Sequence, residues 1–360
     1  MSRLQGQVRV VGAGLLGTSL GLALRKHGID VILTDASPAA SALAVDLGAG
    51  RAPAPSDNPA IIVVCVPPDL TANVVAAELA SFPSSFVTDV ASVKAPVLQW
   101  LSDRVSAAEL VRYVGSHPMA GREKGGAASG RSDLFIGRPW VVVPHDKSSD
   151  AAVAAVTDLA LDVEAVPTRM DALEHDHAVA AVSHVPQLIS SLLAGRLIST
   201  SATEIALAGQ GLRDTTRIAA SDPALWVQIL SANAEQIAPV LKDFSNQLQL
   251  VIAALDGVKQ PGALAAISQA IEQGNRGVER IPGKHGGSHS NYATVTVMID
   301  DKPGELGRLL TEMGEIGVNL EDLKLEHSPG APIGLPEISV APEKEQLLIT
   351  ELERRGWRLV

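Results

Sequence analysis

The chain has few of the residues on which several classes of protein depend. Its 360 residues include a single cysteine, Cys65, so no disulfide can form within the chain. That cysteine lies in the apolar run Ile61–Val66, where a buried strand residue is expected. Aromatic residues make up only 3% of the sequence, too few for the stacking surfaces that hold single-stranded nucleic acid. A net charge of −11 also disfavours nucleic acid and anionic membranes as partners.

Targeting and membrane-spanning segments are not evident either. The first seven residues are mostly polar, and the apolar run Val8–Val11 that follows is too short for a secretory signal. No apolar stretch of the sequence reaches the length that we expect of a membrane-spanning helix. We therefore predict a cytoplasmic protein. A hydrophobic content of 46% over this length predicts a folded chain of two or three domains.

The first half of the sequence alternates between short apolar runs and helical periods. This pattern predicts a mostly parallel, doubly wound α/β sheet of the Rossmann type over residues 1–167. The predicted strands are Val8–Val11, Val31–Thr34, Ile61–Val66, Phe86–Asp89, Arg112–Gly115, Trp140–Pro144 and Val163–Val166. The best-defined predicted helices are Leu15–Lys26 and Ala151–Leu161.

The residue pattern changes twice after residue 167. Helical spacing from Met170 to Leu255, with a further helix near Gly262–Arg280, predicts an all-helical domain over residues 168–280. Residues 281–290 are rich in glycine and serine and are interpreted as a linker. Residues 291–360 predict a small α+β domain of the ferredoxin-like order βαββαβ. Its predicted elements are Tyr292–Ile299, Glu305–Ile316, Val318–Glu326, Pro336–Val340, Glu343–Arg355 and Trp357–Val360.

A nucleotide-binding motif opens the chain. The first strand is followed by G-x-G-x-x-G at Gly12–Gly17 and then by a helix, the arrangement in which a helix N-terminus holds a pyrophosphate. Asp35, at the end of the second strand, can accept hydrogen bonds from ribose hydroxyls and would repel a 2′-phosphate, so NAD is favoured over NADP. The predicted cofactor-binding residues are Gly12, Ala13, Gly14, Leu15, Leu16, Gly17, Asp35, Val66 and Pro67.

One histidine is set in an unusually constrained segment. His117 lies in Gly-Ser-His-Pro-Met-Ala-Gly at Gly115–Gly121, where Pro118 restricts the backbone. We expect His117 on a rigid loop at the end of a strand, bordering the ligand crevice. There a neutral imidazole could accept a hydroxyl proton as hydride leaves the same carbon. The nearby run His175-Asp176-His177 does not predict a metal site, because alternate residues of a helix face different ways and no third ligand is evident.

These motifs together resemble the prephenate dehydrogenase family, in the form that carries a C-terminal ACT domain. The resemblance also includes His175-Asp176 with Ser-His-Val-Pro at Ser183–Pro186, and Gly-Leu-Arg-Asp-Thr-Thr-Arg at Gly211–Arg217 followed by Trp226. It implies NAD-dependent oxidative decarboxylation of prephenate to 4-hydroxyphenylpyruvate in tyrosine biosynthesis, with no metal required. The long apolar faces of Ala178–Leu193 and Leu225–Leu255 are more than one small domain needs to bury, so we expect the helical domain to form a homodimer.

The resemblance implies roles for particular residues. His117 would accept the proton of the ring hydroxyl, and Ser92 would orient His117 near the nicotinamide. His184 would contact the substrate, and Arg217 would hold a substrate carboxylate as a bidentate guanidinium. The remaining predicted substrate residues are Glu123 at the rim of the site, Asp214 and Trp226 as supports, and Arg213, which is spaced to share a helix face with Arg217.

Two alternatives stay open at this point. A carboxylate at Glu123 could favour arogenate, which has an ammonium group where prephenate has a keto group. The chain could also be a non-catalytic sensor of NAD and an amino acid, although His117, His184 and Arg217 would then lack a joint purpose. The family often has a histidine where this chain has Gln187, which leaves the role of that position in doubt.

The C-terminal segment contains its own motif. Asp-Lys-Pro-Gly-Glu-Leu at Asp301–Leu306 resembles the signature of ACT domains, and Val318–Leu320 is expected to open the next strand. The predicted regulatory residues are Asp301, Gly304, Asn319 and Leu320. The resemblance implies an amino-acid effector, with tyrosine expected from the pathway alone. A dimerisation module that binds no ligand is the alternative.

Overall fold

A computed structural model describes residues 2–122, 125–282, 292–327 and 333–360. The chain divides into two compact units, and each is described by itself. The first unit comprises residues 1–200 and 215–244, and the second comprises residues 201–214 and 245–360.

Four parallel strands form the first sheet, in the order β2-β1-β3-β4. The strands are β1 (Gln7–Val11), β2 (Val31–Thr34), β3 (Pro59–Val64) and β4 (Phe86–Asp89). Their central residues are almost all buried, as expected of strands covered by helices on both faces. The chain leaves β1 first towards β2 and later returns on its other side as β3, so the strand order reverses at the carboxyl end of β1. Ligands bind at such a reversal in doubly wound sheets.

Six helices accompany these strands among the described residues of the N-terminal half. They are α1 (Leu15–Lys26), α2 (Pro38–Asp46), α3 (Pro68–Ser81), α4 (Ala95–Arg104), α5 (Ala107–Leu110) and α6 (Asp150–Asp162). Serine hydroxyls cap three of them at the N-terminus, and at α5 Ser106 and Glu109 form a reciprocal capping box. The predicted bounds of α1, β2 and β4 are confirmed.

A second, three-stranded sheet contains His117. It has the order β5-β6-β7, with β5 (Gly115–Pro118) antiparallel to β6 (Pro139–Val143), and β6 parallel to β7 (Val166–Arg169). The prediction of a strand over Arg112–Gly115 was wrong. Tyr113 makes only an isolated bridge to Val87, and regular pairing begins at Gly115. His117 therefore lies within a strand, opposite Val141, and not on the predicted loop.

Helices follow from Ala172 onward. They are α7 (Ala172–Val179), a π-helical segment Ala180–His184, α8 (Val185–Arg196), α9 (Ala202–Ile205), α10 (Gln210–Thr216), α11 (Pro223–Ala232), α12 (Ala234–Asp256) and α13 (Ala263–Val278). In the first unit, Ala180, Val185 and Ile237 form the core of a cluster that joins α8 to the start of α12.

The expectation that no segment could span a membrane was wrong on length and composition. The continuous helical stretch Ala172–Ser199 is long and apolar enough to do so, although helices of soluble proteins can pass the same test. This stretch includes the buried polar residues His175, Asp176 and His184. Side chains of this kind need polar partners, so they tie the stretch to its neighbours in the first unit.

The C-terminal part of the second unit contains a four-stranded antiparallel sheet. Its elements are β8 (Ala293–Asp300), α14 (Glu305–Ile316), β9 (Asp322–His327), β10 (Ile333–Val340), α15 (Glu345–Arg354) and β11 (Arg358–Leu359). The strand order is β11-β8-β10-β9. Val297, Leu309, Ile338 and Leu352 are buried between the sheet and the two helices. The bounds of α14 match the prediction, whereas β9 begins at Asp322 and not at Val318.

Candidate active site

The glycine loop between β1 and α1 is shaped by close backbone contacts. Gly12 has a φ of +110°, and a Cβ atom there would lie 2.3 Å from the carbonyl oxygen of Cys65. A Cβ atom at Gly17 would lie 1.9 Å from the carbonyl oxygen of Gly12. Gly14, at the start of α1, has open space around its Cβ position among the described atoms. The first turn of α1 has neither a side-chain cap nor an acidic residue, so its N–H groups can bind an anion.

Asp35 lies beside this loop at the end of β2. Its carboxylate accepts hydrogen bonds from the backbone N–H of Ala13 at 2.6 Å and of Ser37 at 2.7 Å. The side chain is therefore held next to the glycine loop, and each carboxylate oxygen keeps a further lone pair. Open space at Gly14, an uncapped helix N-terminus and a carboxylate after β2 together fit NAD. Val66 and Pro67 lie between β3 and α3, at the same edge of the sheet.

His117 contacts a second histidine. Its Nδ1 lies 2.9 Å from Nε2 of His175, and the two rings meet edge to face. The Nε2 atom of His117 has no hydrogen-bond partner among the described residues. Burial, followed by the charges of His175, Lys94 and His184, holds the pKa of His117 well below its ordinary value of 6.5. The imidazole is therefore neutral at neutral pH and can accept a proton.

His175 is in turn anchored by Asp176. Its Nδ1 lies 2.8 Å from Oδ1 of Asp176, and both residues are buried. The Asp176 carboxylate also accepts the backbone N–H groups of Lys94 at 2.7 Å and Ala95 at 2.8 Å, where α4 begins. This interaction stabilises the N-terminus of α4 from a side chain on α7. Among the described residues, no group of three or more histidine, cysteine or acidic side chains is placed to hold a metal ion.

A buried ion pair lies behind the strand that holds His117. Lys94 Nζ forms an ion pair with Asp89 and donates a hydrogen bond to the carbonyl oxygen of Ser116 at 2.8 Å. The hydroxyl of Tyr113 donates to Asp89 at 2.7 Å, and the hydroxyl of Ser116 donates to the Asp89 carbonyl oxygen at 2.8 Å. Burial lowers the pKa of Lys94, and the adjacent Asp89 opposes that shift. The network fixes β5 against the end of β4.

His184 is the third histidine of this region. It ends the π-helical segment, is buried, and places Nδ1 3.1 Å from the amide nitrogen Nδ2 of Asn233. An amide nitrogen only donates, so Nδ1 of His184 accepts and its Nε2 carries the proton. Burial lowers the pKa of His184 to about 4. Asn233 also donates to the backbone carbonyl of Asp176 at 2.8 Å, and the Trp226 ring meets His184 edge to face.

Comparison with known proteins agrees with this arrangement. Residues 20–168 match the model of the prephenate dehydrogenase nucleotide-binding domain, and residues 171–268 match that of the prephenate dehydrogenase dimerization domain. The chain is 35% identical to the probable prephenate dehydrogenase NovF of Streptomyces niveus over 355 residues, which are 97% of this chain and 98% of that protein. The chain belongs to the prephenate dehydrogenase family. It is an NAD-dependent oxidoreductase of that family, and its cofactor is NAD.

Two further similar proteins match most of the chain. The cyclohexadienyl dehydrogenase of Zymomonas mobilis is 31% identical over 265 residues, covering 69% of this chain and 89% of that protein. The crystal structure of Aquifex aeolicus prephenate dehydrogenase with hydroxyphenyl propionate and NAD+ is 25% identical, with a TM-score of 0.67. It covers 77% of this chain and 100% of that chain. The C-terminal sheet lies beyond the two matched family domains.

The structure brings together some of the predicted site residues of this prephenate dehydrogenase homologue. His117, His184 and Trp226 are linked through His175, Asp176 and Asn233 in the first unit. Ser92 is close in sequence to Lys94, but its buried Oγ has no hydrogen-bond partner among the described residues. The contact to Nδ1 of His117 is made by His175, and no hydrogen bond from Ser92 to His117 is found among the described residues.

The other predicted substrate residues are exposed or lie outside the described residues. Arg217 opens a 3₁₀ turn that packs against α8 and is exposed. Arg213 and Asp214 are exposed in α10, which ends at Thr216, directly before the 3₁₀ turn that begins at Arg217. Asp214 accepts a hydrogen bond from Gln210 at 2.8 Å. Glu123 lies outside the described residues.

Sequence reasoning missed the residues that hold the predicted histidines in place. Lys94, Asp89 and Tyr113 had no assigned role, nor did Asn233, and His175 was noted only as part of a motif. A lysine and an aspartate five residues apart give no signal of pairing in a chain with 29 lysine and arginine residues. The position of Gln187 is now defined, because its amide nitrogen donates to Ser221 Oγ at 2.7 Å.

Proposed function

We propose that this protein oxidises prephenate to 4-hydroxyphenylpyruvate and carbon dioxide. The observation that carries the proposal is His117, a neutral imidazole whose Nε2 has no partner among the described residues, in a family whose cofactor is NAD. His117 Nε2 accepts the proton of the C4 hydroxyl. The glycine loop and Asp35 would hold NAD, which would supply the hydride acceptor for C4. The bond from the ring to the carboxylate then breaks, its electron pair makes the ring aromatic, and His117 returns the proton to the phenolate oxygen.

Other residues of the chain bind and orient the substrate in this proposal. The Nε2–H group of His184 donates a hydrogen bond to it, and the Arg217 guanidinium holds one of its carboxylates. Ser92 Oγ supplies a further hydrogen bond near the nicotinamide, and Asp214 and Trp226 support the region around Arg217. The family resemblance further implies substrate-binding roles for Glu123 and Arg213.

The direct test is NADH formation, followed at 340 nm with the purified protein, NAD and either prephenate or arogenate. We expect turnover of prephenate. His117→Asn should retain NAD binding and lose turnover by about 100-fold or more. His177→Asn is the matched control, because His177 lies on the exposed side of α7, and it should behave as the wild type. Unchanged turnover in His117→Asn would contradict the assigned role.

Arogenate is the second candidate substrate. Its support is the carboxylate of Glu123, which would pair with the ammonium group that distinguishes arogenate from prephenate. Turnover of arogenate alone would keep the mechanism and change the substrate. Turnover of neither would favour a sensor of NAD and amino acids.

We also propose that the C-terminal sheet is an ACT domain that takes part in feedback regulation. Its strand order β11-β8-β10-β9 with two helices is that of a ferredoxin-like fold. Gly304, with a φ of +93°, opens α14 and has free space around it among the described atoms. Asp301 lies in the preceding turn, while Asn319 is exposed and Leu320 half-buried after α14.

Tyrosine is the proposed effector, and it should inhibit NADH formation and raise the melting temperature of the full chain. Asn319→Ala should weaken both responses and leave turnover without tyrosine unchanged. An absence of any tyrosine effect on the wild type would favour a dimerisation module without a ligand.

The proposed assembly is a homodimer formed through the helical domain. The helices of the first unit expose large apolar side chains, among them Val182, Leu192, Ile198, Leu225 and Val227. Such surfaces are normally covered by a partner. Light scattering at micromolar concentration should give a dimer, and a monomer there would reject the proposal.

A further inference from the structure

The hydrogen-bond chain that ends at His117 has a defined direction. It begins at Asp176, whose carboxylate accepts the backbone N–H groups of Lys94 and Ala95. These two groups can only donate, so the carboxylate is held as an acceptor at the N-terminus of α4. A third group meets the same carboxylate, because Nδ1 of His175 lies 2.8 Å from Oδ1. Nδ1 of His175 must therefore carry a proton.

The direction passes from one ring to the next. A neutral imidazole has one protonated nitrogen, so His175 with its proton on Nδ1 presents a lone pair at Nε2. That lone pair lies 2.9 Å from Nδ1 of His117. For the two nitrogens to form a hydrogen bond, Nδ1 of His117 must donate. The proton of neutral His117 is then on Nδ1, and the lone pair is on Nε2.

We propose that His175 and Asp176 hold His117 in its Nδ1–H tautomer and so make Nε2 the atom that accepts the substrate proton. Both are positioning residues, since neither is assigned a contact with substrate or cofactor. The inference rests on the proposed function for its catalytic consequence, but the tautomer itself is a property of the protein without substrate. The arrangement follows the logic of a serine protease triad, in which a buried carboxylate selects the tautomer of the histidine that acts as base.

The same hydrogen bonds can be kept when His117 is protonated on both ring nitrogens. When Nε2 takes the substrate proton, the imidazolium keeps its Nδ1–H bond to the lone pair of His175. His175 remains bonded to the Asp176 carboxylate, which lies one ring further from the new charge. No proton has to move along the chain, so His117 keeps the proton that it returns to the phenolate oxygen. Bonds to both ring nitrogens are also what fixes a histidine in one orientation.

The test is the nitrogen NMR spectrum of the full-length protein labelled with 15N-histidine, recorded without substrate. Protonated and unprotonated ring nitrogens of neutral histidine differ strongly in chemical shift, and His117→Asn assigns the His117 signals. We expect Nδ1 of His117 to be protonated in the wild type. In His175→Phe, which keeps a ring of similar size without nitrogen atoms, the signals should move towards the Nε2–H form. The matched control His177→Phe, on the same helix, should leave them unchanged.

Turnover provides the second readout. His175→Phe should lower kcat by about 10²- to 10⁴-fold, the range for losing correct general-base function, with little change in NAD affinity. A wild-type spectrum with the proton on Nε2 of His117 would overturn the inference whatever the rates are. An Nδ1–H form that persists in His175→Phe would overturn it as well. If His175→Phe does not fold, the wild-type spectrum alone decides. Absence of turnover in the wild type would count against the proposed function, while the spectrum would still test the tautomer.

Discussion

Gly14 and Gly17, in the loop after β1, have different surroundings. We therefore expect Gly17 to matter for folding and Gly14 for cofactor binding. Gly17 leaves no room for a side chain, because a Cβ atom would overlap the carbonyl oxygen of Gly12 and approach Val10 at 3.1 Å. A Cβ atom added at Gly14 would have no described atom within 4 Å. In a dinucleotide-binding loop the second glycine lets the backbone approach the pyrophosphate. The two positions should therefore respond differently to one added methyl group.

We expect Gly17→Ala to lower the free energy of unfolding by about 3 kcal/mol, since backbone atoms must shift to admit the methyl group. Gly14→Ala should leave the unfolding free energy within about 0.5 kcal/mol of the wild type. It should nevertheless weaken NAD binding by about tenfold or more, because its methyl group occupies the space of the phosphates. Urea unfolding and NAD titration measure the two effects. Normal NAD affinity in Gly14→Ala would contradict this reading of the loop.

At the level of secondary-structure elements, one arginine side chain caps the C-terminal end of α3. The Arg112 guanidinium donates to the carbonyl oxygens of Leu79 and Phe82 at 2.8 Å and of Ser85 at 2.9 Å. The last carbonyl groups of a helix have no partner within the helix, and a cation there also interacts favourably with the helix dipole. Arg112 therefore caps the C-terminal end of α3 from a segment distant in sequence.

Removing this interaction should destabilise the first unit. Arg112→Ala leaves three partly buried carbonyl groups without their charged donor, which should cost about 2–3 kcal/mol. Arg112→Lys should recover part of that loss, because an ammonium group keeps the charge but not the fork geometry. Arg104→Ala is the matched control, since Arg104 is exposed and contacts Trp100 through a long 3.5 Å hydrogen bond to its carbonyl oxygen and a cation–π interaction with its ring, and it should cost at most about 1 kcal/mol. Equal losses in Arg112→Ala and Arg104→Ala would refute the capping argument.

For the whole molecule, buried neutral histidines make stability depend on pH. The pKa of His184 falls from 6.5 to about 4 on folding, and that of His117 falls well below 6.5, in both cases mainly through burial. Below pH 6.5 the unfolded chain binds protons that the folded chain excludes, so the folded state loses stability as pH falls. Above pH 6.5 both states hold these rings neutral, and this contribution is absent.

We therefore expect the free energy of unfolding to be nearly constant between pH 8 and 7. It should then decrease towards pH 4.5, by about 1.4 kcal/mol per pH unit for each such histidine. Urea unfolding at several pH values measures the slope. His184→Gln should reduce this slope by the contribution of one histidine, about 1.4 kcal/mol per pH unit. The exposed control His177→Gln should leave the slope unchanged. A stability that rises between pH 6.5 and 4.5 would show that these rings are not neutral when folded.

Features that depend on neighbours along the chain could be predicted from the sequence. The glycine loop, the bounds of α1, β2, β4 and α14, and the choice of His117 as the candidate base all follow from local spacing and side-chain chemistry. A strand, a tight turn and a helix need only a short stretch of residues to be specified. The motifs resembled those of the prephenate dehydrogenase family, and the glycine loop with Asp35 predicted NAD.

The contacts that hold the candidate base could not be predicted from the sequence, because they join distant parts of the chain. His117 and His175 are 58 residues apart in sequence, and Asp176 meets Lys94 across 82. Such contacts depend on how the chain folds between the two residues, and this cannot be derived from the local sequence around either residue. The same is true of His117 within β5, which requires the distant partner Val141 on β6. His117 could therefore be chosen as the candidate base from residue types, whereas its burial and its contact with His175 arise from packing.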